Sequence, residues 1–126
     1  MKLTDLFGYQ LVSIDNCKIV VKKGDSFYTL LIEEYSGDCC GFNELETRLL
    51  ISNHELNRNP VITNVVVEQN ENCDCDGDSA KITFFGEFRP IAELESYSSS
   101  GSGWCYGACV TIQCKELDIA EAITEW

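Results

Sequence analysis

The sequence predicts an α+β fold. It is a single domain over residues 1–126, with one curved antiparallel β-sheet of about five to six strands and one or two short helices. Three observations carry that reading. Short β-branched or alternating runs recur between tight Gly/Asp turns, which favours antiparallel pairing. Only two short stretches show helical spacing. The length of 126 residues, with 44% hydrophobic and 24% charged residues, is that of one globular domain with one core.

In chain order, Tyr9 to Asn16 and Lys18 to Lys23 read as strands, the second closed by a Lys23-Gly24-Asp25 turn. Ser26 to Tyr35 is a third strand, mostly apolar and therefore central. Gly37 to Gly41 breaks the pattern. Asn43 with Glu46 three residues on has the form of a capping box, and Leu45 and Leu49 follow at helical spacing, so a helix to about Ile51 is expected. Val61 to Gln69 is rich in β-branched residues and reads as a strand. In Ala80 to Phe88, Ile82, Phe84, Gly86 and Phe88 share one face of another. The connection ENCDCDGDS lies between these two. Trp104 to Lys115 is the last strand expected, with Tyr106, Ala108, Val110, Ile112 and Cys114 on one face. In the tail, Ile119, Ile123 and Trp126 fall at i, i+4 and i+7, which predicts a helix laid against the sheet.

Nine basic residues against twenty-one acidic ones give a formal net charge of -12, and the cations are scattered. Counterion release from a phosphate backbone needs clustered Lys and Arg, so direct nucleic-acid binding is disfavoured. The same field suits a basic protein partner, although solubility alone also accounts for it. No apolar run is long enough to span a bilayer, and Asp5 interrupts the start before any signal-peptide h-region forms. The chain is therefore expected in a reducing cytosol, where its eight cysteines stay free and act mainly as small buried hydrophobes.

Four constellations could carry chemistry. Cys73 and Cys75, which could pinch an ion, form a candidate zinc site with Cys105 and Cys109, to which Cys39 or Cys40 could add a ligand. Against this, Cys105 and Cys109 are about 13 Å apart on an extended strand. Asn72, Asp74, Asp76, Gly77 and Asp78 open like a calcium-binding loop, but Thr83 stands where a bidentate Glu is needed, so a hairpin turn is the simpler reading. Cys39 or Cys40 with His54, the sole histidine, has the parts of a nucleophile–base pair. A lone His between Asn53 and Glu55 is more simply a surface residue, and no enzyme activity is assigned. The run from Ser98 to Tyr106 offers hydroxyls and backbone N–H groups to an anion, beside Trp104 and Tyr106. It lacks a P-loop lysine, and a mobile loop would look the same. As a ligand site it would comprise Ser100, Gly101, Ser102, Gly103, Trp104 and Tyr106.

The opening LFGYQLVSI (Leu6 to Ile14), the Asp38-Cys39-Cys40 step and the segment SSSGSGWCYG (Ser98 to Gly107) together resemble a family of small tailed-phage proteins of unknown function. The resemblance covers most of the chain, and the Asp38-Cys39-Cys40 step and the Ser/Gly/aromatic segment are its specific parts. Other cysteines vary in that family, so Cys73, Cys75, Cys105 and Cys109 gain nothing from it. The resemblance implies a phage origin, expression in a host bacterial cytoplasm and no assigned enzyme activity. The expected function is a non-enzymatic accessory protein that binds and inhibits a host factor with a basic surface, in counter-defence. Two alternatives stand beside it: a binder of a small nucleotide-like signal, as a homo-oligomer whose neighbouring subunit lends Lys or Arg, and a metal-stabilised structural module. No cofactor beyond a possible zinc is expected.

Overall fold

The computed structural model describes residues 1–36, 42–70, 77–87, 89–99 and 108–125. Its strands, in chain order, are β1 (Gln10–Ile14), β2 (Lys18–Lys23), β3 (Ser26–Ser36), β4 (Phe42–Leu49), β5 (Asn64–Asn70), β6 (Gly77–Gly86), β7 (Arg89–Ser99), β8 (Ala108–Cys114) and β9 (Ile119–Glu125). A 3-10 turn at Leu3–Asp5 precedes them, and one short helix, α1 (Asn53–Leu56), follows β4. All pairings are antiparallel, as expected. They form two sheets, one in the order β1-β2-β3-β8-β9 and one in the order β4-β7-β6-β5. The expected single curved sheet is thus corrected to a two-sheet, predominantly β architecture.

The first sheet follows the sequence closely. Lys23 pairs with Ser26 across Gly24-Asp25, and Gly24 takes φ +62, which a glycine adopts without strain. Central β3 lies between β2 and β8. Its inward Leu30 and Ile32 join Ile19 and Val21 of β2 and Val110 and Ile112 of β8 in the core. From the second sheet come Ile82, Phe84 and Leu94, and Leu3 and Leu6 of the N-terminal turn fill the same core. Fully burying an aliphatic or aromatic side chain of this size contributes about 1.5–3 kcal/mol, so the shared core is the main force holding the sheets together.

Two expected helices are strands. Leu45 and Leu49 fit a helix, but a spacing of four is also an even number and satisfies a strand. In β4, Leu45 and Leu49 pack against the core while Glu44, Glu46 and Arg48 face outward. Asn43 caps nothing; its Nδ2 donates to the Tyr35 carbonyl at 2.9 Å. The tail repeats the ambiguity: Ile119 and Ile123 are buried on β9, which reverses from β8 through a turn with Asp118 at φ +53. β7 had no counterpart in the sequence reading. Its inward side continues from Ala92 and Leu94 into Ser96 and Ser98, so the alternation of apolar and polar residues disappears. α1 was also missed, although Ser52 and Glu55 stand at capping-box spacing; Ser52 Oγ accepts from the Glu55 N–H at 3.2 Å.

Side chains and short segments close the sandwich. Gly8 N–H donates to Ile62 O and Ile62 N–H to Tyr9 O, both at 2.7 Å, tying the β1 edge to the entry of β5. Asn16 splints the open edge of β4. Its Oδ1 accepts from the Thr47 N–H at 3.0 Å and the Thr47 hydroxyl at 2.7 Å, and its Nδ2 reaches Leu45 O at 3.5 Å. The amide thereby stands in for a neighbouring strand's peptide group. At the N-terminus, Leu3 N–H donates to the Glu121 carboxylate at 2.7 Å. Among the described residues no helix is long and apolar enough to cross a membrane.

Candidate binding face

The outward side of the second sheet is built by register. Glu44, Tyr97 and Ser79 stand abreast on β4, β7 and β6. Glu46, Glu95, Lys81 and Glu68 form the next row, the last on β5. Arg48, Glu93 and Thr83 form the third. The sheet is concave across the first two rows, leaving an open depression of about 550 Å3 lined by Glu44, Glu46, Glu95, Lys81, Ser79 and Tyr97. That volume lies within the range of small-molecule sites, and its lining mixes apolar surface with the carboxylates of Glu44, Glu46 and Glu95.

The charges are arranged unevenly. Arg48 forks onto Glu46, with Nε–Oε1 at 3.1 Å and Nη2–Oε2 at 3.0 Å. Its Nη1 also reaches Glu93 at 3.2 Å, and Lys81 Nζ reaches the other Glu93 oxygen at 3.3 Å. Glu93 is only 8% exposed, and the two cations compensate its desolvated charge. Lys81 lines the depression with its ammonium on Glu93, and Arg48 divides its donors between Glu46 and Glu93. Glu44, Glu68 and Glu95 are left with no ion pair among the described residues. The hydrogen bond from Arg48 and its charge hold the Glu46 carboxyl below the usual range. Glu46 in turn raises Arg48, with smaller contributions from Glu95 and Glu93. The face therefore carries Glu44, Glu46, Glu68, Glu93 and Glu95 against Arg48 and Lys81, and its field favours a cationic group seated in the depression.

Beneath this face a chain of hydroxyls crosses the core. Ser98 Oγ donates to Asn43 Oδ1 at 2.6 Å, so its 2.7 Å contact with Thr124 Oγ1 must be donated by Thr124. The 2.6 Å contact between Thr124 and Ser96 is then donated by Ser96. The polarity runs one way, from Ser96 through Thr124 and Ser98 to Asn43, and on to the Tyr35 carbonyl. Ser96, Ser98 and Thr124 are buried, and this network satisfies them.

The residues singled out from the sequence fare differently. Asp38, Cys39 and Cys40, Cys73 and Cys75, and Ser100, Gly101, Ser102, Gly103, Trp104 and Tyr106 lie outside the described residues, as do Asn72, Asp74, Asp76 and Cys105. Gly77 and Asp78 open β6. His54 is exposed on α1, with Nε2 3.4 Å from Arg58. Cys17 is exposed, Cys109 half-buried and Cys114 buried. Burial pushes the Cys114 thiol up, away from thiolate chemistry. Among the described residues no group of three His, Cys, Asp or Glu side chains is placed to hold a metal. The acidic face was not anticipated. Its glutamates are spread over three strands, β4, β5 and β7, and only the strand register brings them together. No protein-family model, curated protein or solved structure matches the chain.

Proposed function

We propose that the protein is a non-enzymatic phage accessory protein that binds a basic surface of a host protein and inhibits it in counter-defence, with the outer face of the β4-β7-β6-β5 sheet as its contact. The supporting observation is the depression in which, among the described residues, Glu44 and Glu95 carry no ion pair while Arg48 is held by Glu46 and Glu93 and Lys81 by Glu93. A partner's Lys or Arg would gain there a charge-assisted hydrogen bond beside the Tyr97 ring. The field of the whole chain, at -12, would speed encounter with such a partner. The phage setting rests on the resemblance carried by Asp38-Cys39-Cys40 and the Ser98 to Gly107 segment.

The test is retention of host proteins on the immobilised chain, comparing wild type with a Glu44→Lys/Glu95→Lys variant. A basic protein should be held by the wild type and lost with the variant, and its association rate should fall as ionic strength rises. Equal retention by both, or an association rate indifferent to salt, would overturn this reading. Thermal melts with cyclic and linear nucleotides address the small-ligand alternative, which places its site at Ser100 to Tyr106; a stabilising shift would favour it. Stoichiometric zinc in the purified protein would favour the metal-stabilised alternative.

A further inference from the structure

The outer face of the other sheet has the opposite character. Along central β3, Phe27, Leu31 and Tyr35 all point outward, 63%, 49% and 60% exposed, with Thr29 and Glu33 between them. Lys22 stands beside Phe27, Val20 beside Thr29, and Lys18 and Gln113 on either side of Leu31. Exposed aromatic and aliphatic groups in one line on a central strand are uncommon on a soluble surface and mark a contact. The charge pattern narrows the occupant. On a chain of net charge -12, this patch carries Lys18 and Lys22 against Glu33. Two copies would repel one another through most other faces, and least through this one.

We propose that this face is the interface of a homodimer, with β3 of one copy packed antiparallel across β3 of the other about a two-fold axis lying between the sheets and perpendicular to the strands. The order of residues along β3 is self-complementary about Leu31. Antiparallel packing places Leu31 on its own copy, Phe27 on Tyr35 and Thr29 on Glu33; it sets Lys18 against Lys18, and it offsets that repulsion by bringing each Lys22 diagonally towards a Glu33. The parallel alternative would set Glu33 against Glu33 and offers Lys22 no acid. The five strands, five to eleven residues long and about 4.8 Å apart, present roughly 600 Å2 per copy, the lower end of what a specific interface needs from each partner. This inference is independent of the acidic face, which would lie on the outside of both copies.

The experiment is sedimentation or light scattering of the full chain across concentration and salt. A dimer is expected, strengthened by added salt because screening relieves the repulsion of two acidic bodies. Leu31→Asp should weaken it by about tenfold or more while the chain still unfolds cooperatively in a thermal melt, because the side chain is half exposed. Lys22→Glu and Glu33→Lys should each weaken the dimer, and together restore it. A monomer at all concentrations, or a dimer indifferent to Leu31→Asp, would overturn the interface. Failure of the double charge swap to restore association would overturn the antiparallel register. The opposite salt dependences of dimerisation and of basic-partner binding keep failure of one distinct from failure of the other.

Discussion

At the scale of single residues, the hydroxyl chain through Ser96, Thr124 and Ser98 is the most exacting feature of the core. Thr124→Val keeps the shape but leaves the Ser96 proton without its acceptor and Ser98 without its donor. It should cost about 1–3 kcal/mol, read as a lower urea midpoint at unchanged slope. Replacing Ser96, Thr124 and Ser98 together should cost less than the sum of the single changes, because the later ones remove groups already orphaned. Phe84→Ala, at a fully buried site in the same core, should cost about 3–5 kcal/mol. Glu46 supplies a pH signature. Its folded-state pKa is depressed, so its contribution is present above the unfolded value and disappears as pH falls through the folded one. Glu46→Gln should flatten the acid limb of a stability–pH curve in that window.

At the scale of elements, what was legible depended on whether a pattern had one period or two. β2 and β3 were legible because the Lys23-Gly24-Asp25 turn joins two short apolar runs. β4 and β9 were misread as helices because leucines and isoleucines four apart satisfy both geometries. Only pairing partners decide between them, Ser98 and its neighbours for β4 and Cys114 to Cys109 for β9. β7 was hidden because its inward serines are satisfied by Thr124 and Asn43, far away in sequence. The acidic face was illegible for the same reason, since its rows exist only once register is set. Two substitutions probe these elements. Gly86→Ala would bring a Cβ to 2.7 Å from the buried Ile91 side chain, and overpacking should cost about 1–3 kcal/mol in denaturant titration. Asn16→Ala would unpin the β4 edge, costing about 1–2 kcal/mol and raising light scattering on storage.

At the scale of the whole molecule, the two outer sheet faces divide the surface by charge. One gathers glutamates around a depression, and the other gathers aromatic side chains and lysines. Joining two copies through the second would leave two acidic faces pointing away from each other. A partner with two basic patches would then be held by avidity as well as affinity. A monomeric Leu31→Asp variant should therefore bind an immobilised basic partner with a faster dissociation rate and an unchanged association rate, as surface-based kinetics would show.

The strand order also bears on how the chain is made. The β4-β7-β6-β5 sheet draws all its strands from one contiguous stretch ending at Ser99, so it can assemble while the rest of the chain is still being synthesised. β3 cannot; its second neighbour, β8, begins only at Ala108. At about 5–20 residues per second, a nascent chain carries β3 with one side unpaired for roughly 4–14 seconds. Over that interval its Phe27, Leu31 and Tyr35 stripe borders an open strand edge. Translation speed between Ser36 and Ala108 thus sets how long this protein is most open to capture by chaperones or by its own neighbours on a polysome.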